Sequence, residues 1–326
     1  MKIAVTGASG HIGVNLCREL VKKGHAIKAL VHKNTRSLQG IPLETVQGDL
    51  KDPASLFALV KDADAVFHLG AVISIRGNRT GELFDINVEG TRKILEASQK
   101  ESVKRFIHFS SIHALDHSPY NQELDENRPL AIRDKMAYSR SKALAEDIVI
   151  NASNQGLDTV ILSPTAVIGP FDYAPSLMGR AILLMATGKL PALVPGGYDW
   201  VDVRDVVSST LTALEKGRKG ERYLLSGHWR TLEQISKLVS DIIDLRPQRF
   251  TCPNWLARLG LPFIKLYCSV YDKDPLYTRD SLYTLRTSHR NISHEKATKE
   301  LGFKPRPFEE TLKDTLDWFQ NQGFLS

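Results

Sequence analysis

The first thirteen residues restrict the possible folds of this chain more than any other segment. Residues 3–5 form a short apolar run that ends at Thr6-Gly7, which predicts a buried parallel strand. Glycines follow at positions 7, 10 and 13, and apolar residues then recur at helical spacing from 14 to 21. Such a strand–turn–helix unit can bind phosphate, because glycine allows close backbone approach and a helix N-terminus presents N–H groups. The segment therefore indicates either dinucleotide binding or an ordinary glycine-rich turn between a strand and a helix.

Strands and helices alternate through the first half of the chain. The predicted strands are 3–5, 25–31, 43–46, 65–69, 105–109 and 159–162, and the later predicted helices are 53–61, 87–100 and 134–152, with Asp134 as N-cap of the last. This alternation predicts an α/β fold with a doubly wound parallel sheet and helices on both faces. Ligands of such sheets bind beyond the carboxyl ends of the strands, where Gly7, Asp49, Gly70 and Ser110-Ser111 fall.

The pattern changes at Gly169-Pro170, where we expect the main domain boundary. Residues 1–168 would form a dinucleotide-binding domain, to which residues 198–228 would return. Residues 169–197 and 229–326 would form a smaller, mostly helical C-terminal substrate domain. Its helical patterns lie at 180–187, 232–243, 253–271 and 308–322. The pattern at 253–271 is interrupted by Gly260-Leu-Pro262, and it either covers the substrate pocket, which we favour, or lies on a membrane surface.

Composition and charge argue against several classes of protein. The chain has 326 residues and a formal net charge of +6, but no dense basic segment interleaved with aromatic residues, so we expect no nucleic-acid partner. Cys17, Cys252 and Cys268 are spaced too widely for a zinc site or a disulfide framework, and no metal is expected. The sequence has no apolar run long enough to span a membrane and begins its first strand at residue 3. We therefore expect a cytoplasmic protein.

The end of the second predicted strand carries a signal for the choice of cofactor. An NAD site usually has an acid here for the ribose 2′-hydroxyl, whereas a 2′-phosphate requires basic residues. This chain has His32, Lys33 and Arg36 instead and no acid. The segment predicts NADP rather than NAD, with a solvated basic loop as the alternative.

Tyr138 and Lys142 lie four residues apart on a predicted helix and therefore share one face. A tyrosine and a lysine at this spacing are a weak signal alone, but here they follow a strand that ends in Ser110-Ser111, in a sheet that begins with a phosphate-binding turn. A nearby ammonium would stabilise the phenolate and lower the pKa of the phenol, which would make it an acid/base near neutral pH. A serine hydroxyl could donate to a substrate oxygen as charge develops on it.

Together these residues resemble the extended short-chain dehydrogenase/reductases, within the NAD-dependent epimerase/dehydratase superfamily. The matching segments are, in order, Thr6–Gly13, Gly48-Asp-Leu50, His68-Leu-Gly-Ala71, Asn87-Val-Glu-Gly-Thr91, Ser110-Ser111, Tyr138-Ser-Arg-Ser-Lys142 and Ser163-Pro164. They cover about the first half of the chain. The resemblance implies that Tyr138 is the general acid/base, that Lys142 binds the nicotinamide ribose and tunes Tyr138, and that Ser111 polarises the substrate carbonyl.

The resemblance also implies which residues line the cofactor. Asp49 and Leu50 would lie at the adenine, and Gly70 and Ala71 along the middle of the dinucleotide. With the basic residues of the second strand, the expected cofactor-binding residues are Gly7, Ser9, Gly10, His11, Ile12, Gly13, His32, Lys33, Arg36, Asp49, Leu50, Leu69, Gly70, Ala71, Tyr138, Lys142, Ser163 and Pro164.

Two departures favour one branch of this family. The sugar-nucleotide branch usually follows its Ser/Thr pair with Val-Tyr-Gly and has Arg before the proline, whereas this chain has Ile112-His-Ala and Ser163. Both departures resemble the dihydroflavonol-reductase-like branch, which implies NADP-dependent reduction of an aldehyde or ketone. The first alternative is a nucleotide-sugar epimerase or dehydratase with tightly bound NAD, whose substrate diphosphate Arg180, Arg249 and Arg286 could bind. The second is a redox sensor that binds NADP without catalysis.

The remaining polar candidates are assigned structural roles. Ser110 would cap a strand, and His68, His108 and His113 would pack or form hydrogen bonds. The segment from Trp200 to Asp205 would be structural or would reach the substrate pocket. We expect a small-molecule carbonyl substrate, which the sequence does not name, and we leave open a homodimer.

Overall fold

A computed structural model of the chain describes residues 1–32, 35–73, 81–245, 251–270 and 277–325, with the side chains of 263–270 left out. Seven parallel strands form its main sheet in the order β3-β2-β1-β4-β5-β6-β9. Their bounds are β1 Lys2–Thr6, β2 Ala26–Val31, β3 Glu44–Gln47, β4 Ala65–His68, β5 Arg105–Phe109, β6 Thr159–Pro164 and β9 Arg222–Leu225. The predicted doubly wound parallel sheet is confirmed.

The strand order reverses between β1 and β4, which are paired in register from Ile3 with Ala65 to Thr6 with His68. The connections that follow β1 and β4 run in opposite directions, which opens a crevice at the carboxyl ends of these two strands. Strands β1 and β4 are buried on both faces, as expected in the centre of a sheet covered by helices on each side. The fold therefore places the glycine turn after β1 beside the segment after β4.

Helices cover both faces of the main sheet. Their bounds, with those of the C-terminal part, are α1 His11–Lys22, α2 Pro53–Val60, α3 Glu82–Phe84, α4 Gly90–Lys100, α5 Ala137–Asn154, α6 Leu177–Ala186, α7 Val203–Lys216, α8 Leu232–Ile242, α9 Asn254–Val270, α10 Arg279–Thr287, α11 Glu295–Leu301 and α12 Phe308–Asn321. A π-helical turn, Asp85–Glu89, joins α3 to α4. Local signals explain several starts; for example, Asp52 accepts hydrogen bonds from Ala54 and Ser55 at the start of α2.

A second, smaller sheet of β7 (Ala166–Ile168), β8 (Gly197–Asp202) and β10 (His228–Thr231) has the order β10-β8-β7. Its Trp200 packs in a separate hydrophobic core with residues of α6, α8, α10 and α12. The C-terminal residues Ala297, Leu301 and Phe303 instead pack into the core of the main sheet. The polypeptide therefore passes between the two cores more than once.

Three local predictions need correction. Helix α5 begins at Ala137 with Met136 at its N-cap position, and Asp134 instead accepts a hydrogen bond from the Met136 N–H. The predicted interruption at Pro262 is absent from α9, which continues through that residue. Helices α10 and α11 were not predicted, because their apolar residues are few and part of their stability comes from contacts with distant segments. Among the described residues, no helix combines the length and apolarity needed to cross a bilayer.

Candidate active site

The glycine turn between β1 and α1 is built for close backbone approach. Gly7 has φ of +71°, and a Cβ on it would lie 2.7 Å from the backbone nitrogen of Gly70. A Cβ on Gly13 would lie 2.1 Å from the carbonyl oxygen of Gly7. No side chain caps the N-terminus of α1, so its first N–H groups face the turn. These features match a site for the diphosphate of a dinucleotide.

A cavity of about 460 Å³ begins at this turn and extends into the smaller unit. Gly7, Gly10, His11, Ile12 and Gly13 line one end of it. Ser111, Tyr138 and Lys142 also line it, and in the smaller unit its wall is formed by apolar side chains that include Leu177, Met178, Ala181, Met185, Leu190, Trp200, Leu232 and Leu285. One cavity therefore connects the phosphate-binding turn, the Tyr–Lys pair and an apolar pocket.

Tyr138 and Ser111 meet at the wall of the cavity. Burial raises the pKa of the Tyr138 phenol to about 12, and a hydrogen bond with Ser111 lowers it in part. The Ser111 hydroxyl also accepts a hydrogen bond of 3.2 Å from the His113 N–H. The pKa is raised, not lowered as the sequence predicted, and burial and the Ser111 hydrogen bond, not Lys142, are the influences on it in the protein alone. At neutral pH the phenol is therefore protonated and placed to donate.

Lys142 is almost completely buried, one helical turn after Tyr138. Its Nζ donates a hydrogen bond of 2.7 Å to the carbonyl oxygen of Phe109, the last residue of β5. Burial lowers the pKa of Lys142 to about 8, and the carboxylate of Glu146 partly opposes this shift. The ammonium therefore persists at pH 7 and lies on the cavity wall.

Ser110, the other member of the serine pair, forms a hydrogen bond with the buried Glu146. The same carboxylate forms an ion pair with Arg222 of β9. A buried carboxylate needs such partners, because an unpaired charge in the interior is costly. Ser110 is thus engaged in a structural network that joins α5 to β9, whereas Ser111 contacts Tyr138.

The three histidines to which the sequence assigned structural roles lie around this site; His68 and His108 are buried and His113 is partly buried. His68 bridges Thr6 and Thr91 through its two ring nitrogens, at 2.7 and 2.9 Å, and burial lowers its pKa to about 3. Neither ring nitrogen of His108 has a hydrogen-bond partner among the described residues. His113 lines the cavity, with its ring centroid 5.9 Å from that of Tyr138, and burial lowers its pKa to about 3. His113 is therefore a neutral side chain of the candidate site that the sequence alone did not place there.

The segment Arg36–Leu38 after β2 lies against the glycine turn. The Ser37 hydroxyl donates a hydrogen bond of 3.0 Å to the carbonyl oxygen of Ser9, which holds the short helix of Arg36–Leu38 against the turn. The imidazole of His32 lies 3.5 Å from the carboxylate of Asp49, so an acid from the segment after β3 does reach this edge. Lys33 lies outside the described residues.

The predicted cofactor residues fall into two groups around the cavity. Its described wall contains Gly7, Gly10, His11, Ile12, Gly13, Leu69, Ala71, Tyr138, Lys142 and Pro164. It does not contain Ser9, His32, Arg36, Asp49, Leu50, Gly70 or Ser163. Of these, Gly70 donates its N–H to Thr6 beside the wall, and the Ser163 side chain is buried within β6.

The segment from Trp200 to Asp205 has both of the roles that the sequence allowed. Trp200 lines the cavity. Asp202 caps α7 through the Arg204 N–H, and the Arg204 guanidinium reaches Asp314 of α12 at 2.6 Å. Asp205 accepts hydrogen bonds from Arg306. These ion pairs attach the C-terminal segment to α7.

The fold and this cavity define a dinucleotide-binding α/β enzyme with a tyrosine–lysine pair at its centre. The family model described as the NAD dependent epimerase/dehydratase family matches residues 3–226. The chain belongs to this family, whose members are NAD(P)-dependent enzymes of the oxidoreductase type.

Several curated proteins are similar over nearly their whole length. Sterol demethylase protein B of Methylococcus capsulatus is 33% identical and covers 100% of both chains. A Synechocystis protein with the provisional name dihydroflavonol 4-reductase is 32% identical, over 98% of this chain and 95% of its own. The 2-alkyl-3-oxoalkanoate reductase of Stenotrophomonas maltophilia is 33% identical, over 96% and 98%. The crystal structure of gox2253 superimposes with a TM-score of 0.85 at 30% identity, covering 100% of this chain and 99% of its own.

Proposed function

We propose that this protein reduces an apolar ketone or aldehyde with NADPH. The observation that carries the proposal is the single cavity in which the glycine turn, the Ser111–Tyr138–Lys142 set and an apolar pocket follow one another. A cofactor bound at the turn and a substrate in the apolar pocket would meet at Tyr138. We also propose two domains. The cofactor domain would comprise 1–168 and 198–228, and the substrate domain 169–197 and 229–326. The cavity wall supports this division, because it contains the glycine turn of the first and apolar side chains of the second.

Each residue of the set has a role that its environment supports. The nicotinamide supplies a hydride for the carbonyl carbon. Tyr138, protonated at neutral pH, donates its proton to the carbonyl oxygen as negative charge develops there. Ser111 donates to the same oxygen and so stabilises the developing charge. Lys142 contributes a positive charge beside the nascent phenolate and binds the ribose through its remaining N–H groups.

The part of the cavity in the smaller unit favours an apolar substrate over a sugar nucleotide. In the part of the wall that the structure describes, Lys142 is the only lysine and no arginine is present. A substrate diphosphate would need cations there, because phosphate recognition depends on Arg and Lys. Of the cations considered for this role, Arg180 and Arg286 are outside the described wall, and Arg249 lies outside the described residues. The names of two relatives, a sterol-processing protein and a 2-alkyl-3-oxoalkanoate reductase, support apolar ketones as the substrate class.

The choice of NADP is supported by the basic residues after β2. Arg36 begins a short helix that Ser37 ties to the glycine turn, which supports a position of Arg36 near the ribose of a cofactor bound there. The proximity of Asp49 to His32 reduces the net positive charge of this edge. The preference therefore depends on Arg36 and Lys33.

The test is a panel assay of NADPH oxidation by the purified protein. We expect turnover with alkyl 3-oxo acids and sterol ketones, increasing with the length of the apolar group, and none with UDP- or dTDP-sugars. Tyr138→Phe protein serves as the matched control. Epimerase activity without added cofactor, together with NAD that co-purifies, would contradict this proposal and support a nucleotide-sugar epimerase or dehydratase instead. Tight NADPH binding with no turnover on any carbonyl compound would support the second alternative, a redox sensor that binds NADP without catalysis.

A further inference from the structure

We propose that the outward face of α9 binds a membrane surface that contains anionic lipid. Three large apolar side chains are exposed on the first two turns of this helix: Trp255 at 66%, Leu256 at 40% and Leu259 at 63%. Trp255 and Leu259 are four residues apart and Pro262, also exposed, is three residues further, so they follow one stripe of the helix. Exposed apolar residues in one patch mark an interaction site, whereas isolated ones do not.

The opposite face of α9 is already covered. Ala257 and Leu261 are partly buried against the core of the smaller unit, which contains Trp200 and Leu285 of the cavity wall. The helix therefore packs one face on this core and presents its other face outward, and none of its described residues lines the cavity. That it covers the substrate pocket stays a prediction of the sequence. Tryptophan on such a face is typical of helices that lie at the boundary of lipid headgroups and acyl chains.

Charge distinguishes a membrane from a second copy of the chain as the occupant. Residues 251–270 contain two charged residues, Arg258 and Lys265, and no acid. Arg258 is exposed beside the apolar stripe. Anionic headgroups complement Arg258, whereas a two-fold dimer through this face would bring the like charges of two Arg258 side chains together.

The mouth of the cavity has exposed apolar side chains of its own. Ile73, Tyr120 and Tyr283 are exposed and line the cavity. Tyr283 belongs to α10, which packs against α9. A membrane bound by α9 would therefore lie beside the helix that forms one side of the cavity mouth. This placement suits an apolar ketone that partitions into lipid, although binding itself does not depend on the proposed reaction.

The test is flotation with vesicles of phosphatidylcholine alone, and of phosphatidylcholine and phosphatidylglycerol in equal parts. We expect the protein to float with the mixed vesicles and less with the neutral ones. Trp255→Glu/Leu259→Glu should weaken vesicle binding at least about tenfold, because both side chains leave the acyl region and two negative charges are added. Ile132→Glu/Gln99→Glu, with the same change in net charge at exposed positions elsewhere, should bind vesicles within about twofold of the unmodified protein.

Retained NADPH binding in both variants would show that each is folded. No flotation of the unmodified protein on either vesicle, or equal flotation of the α9 variant, would overturn the proposal. A concentration-dependent dimer that the α9 variant loses, in the absence of vesicle binding, would assign this face to a second copy and also overturn it.

Discussion

The Nζ atom of Lys142 lies 2.7 Å from the carbonyl oxygen of Phe109, so α5 is attached to the end of β5 by the lysine itself. Tyr138 lies one turn earlier on α5, and Ser111 follows Phe109 by two residues. The contact therefore fixes the relative position of the phenol and the serine hydroxyl. Removal of the lysine would remove both a charge and a structural contact.

Tyr138→Phe should keep the fold and NADPH binding but lose at least about two orders of magnitude in kcat, the usual contribution of an acid/base group. The substitution removes only the hydroxyl that would protonate the substrate oxygen. Steady-state kinetics on the best ketone of the panel, with NADPH affinity measured separately by fluorescence, would test this. Near-normal turnover would remove Tyr138 from the mechanism.

Lys142→Met should lower kcat and also weaken NADPH binding. The ammonium is assigned both to the phenolate and to the ribose, and methionine has a similar length without charge. Binding should be measured by titration in the absence of substrate, with Tyr138→Phe as the matched control that keeps cofactor affinity. A fall in turnover with unchanged NADPH affinity would show that Lys142 does not bind the ribose.

We expect the unmodified protein to prefer NADPH over NADH by at least about tenfold in kcat/KM. Replacing Lys33 and Arg36 together by alanine should remove most of this preference. A charge-assisted hydrogen bond to phosphate contributes roughly 1.5–3 kcal/mol, or one to two decades of affinity, and it should appear mainly in KM. NADH kinetics should change little. Lys22→Ala/Lys23→Ala, at the far end of α1, removes the same charge and should keep the preference. An NADH preference in the unmodified protein would contradict the assignment.

Gly13→Ala should abolish NADPH binding and destabilise the protein. The added Cβ would lie 2.1 Å from the carbonyl oxygen of Gly7, so the turn or the start of α1 must move. Gly260→Ala is the control, because a Cβ there has no atom within 4 Å. Thermal unfolding with and without NADPH would measure both effects. Cofactor binding retained by the Gly13 variant would mean that the dinucleotide does not approach this turn.

The buried histidines should make the protein less stable as the pH falls. Burial, followed by the charges of Lys142 and His68, holds the pKa of His108 well below its usual value, so the folded protein keeps this ring neutral. An unfolded histidine titrates near 6.5, so the unfolded state binds more protons between pH 7 and 5, and each such histidine reduces the free energy of unfolding by about 2 kcal/mol.

Between pH 7 and 5 the free energy of unfolding should therefore fall by about 2 kcal/mol less in His108→Leu than in the unmodified protein. Between pH 7 and 8 both proteins should show nearly the same change, since histidine is neutral in both states. Urea unfolding at the three pH values would measure the difference. An equal fall in the free energy of unfolding of both proteins at pH 5 would show that His108 is protonated in the folded protein.

Local sequence signals determined the main sheet and the core of the site. Buried apolar strands alternate with helices, and this pattern is sufficient to predict parallel order and the carboxyl edge at which Gly7, Gly70 and Ser111 gather. The spacing of Tyr138 and Lys142 fixes their common face because helix geometry is local. Each strand, helix and turn depends on residues close together in the chain, and the alternation of strands and helices then restricts how the elements can assemble, which is why these predictions succeeded.

Only the tertiary structure decided the remaining features, because they depend on contacts between residues far apart in the chain. The sequence preferred Ser111 to Ser110 only through the family resemblance, and the physical difference comes from tertiary contacts: Ser110 forms a hydrogen bond with Glu146, which is also paired with Arg222. The proline in α9 predicted a break, yet the helix continues where its inner face packs on a distant core. His113 entered the cavity wall because a short helix after β5 directs it toward Tyr138, a placement set by packing. Periodicity determines which residues share an element, whereas packing determines which elements meet.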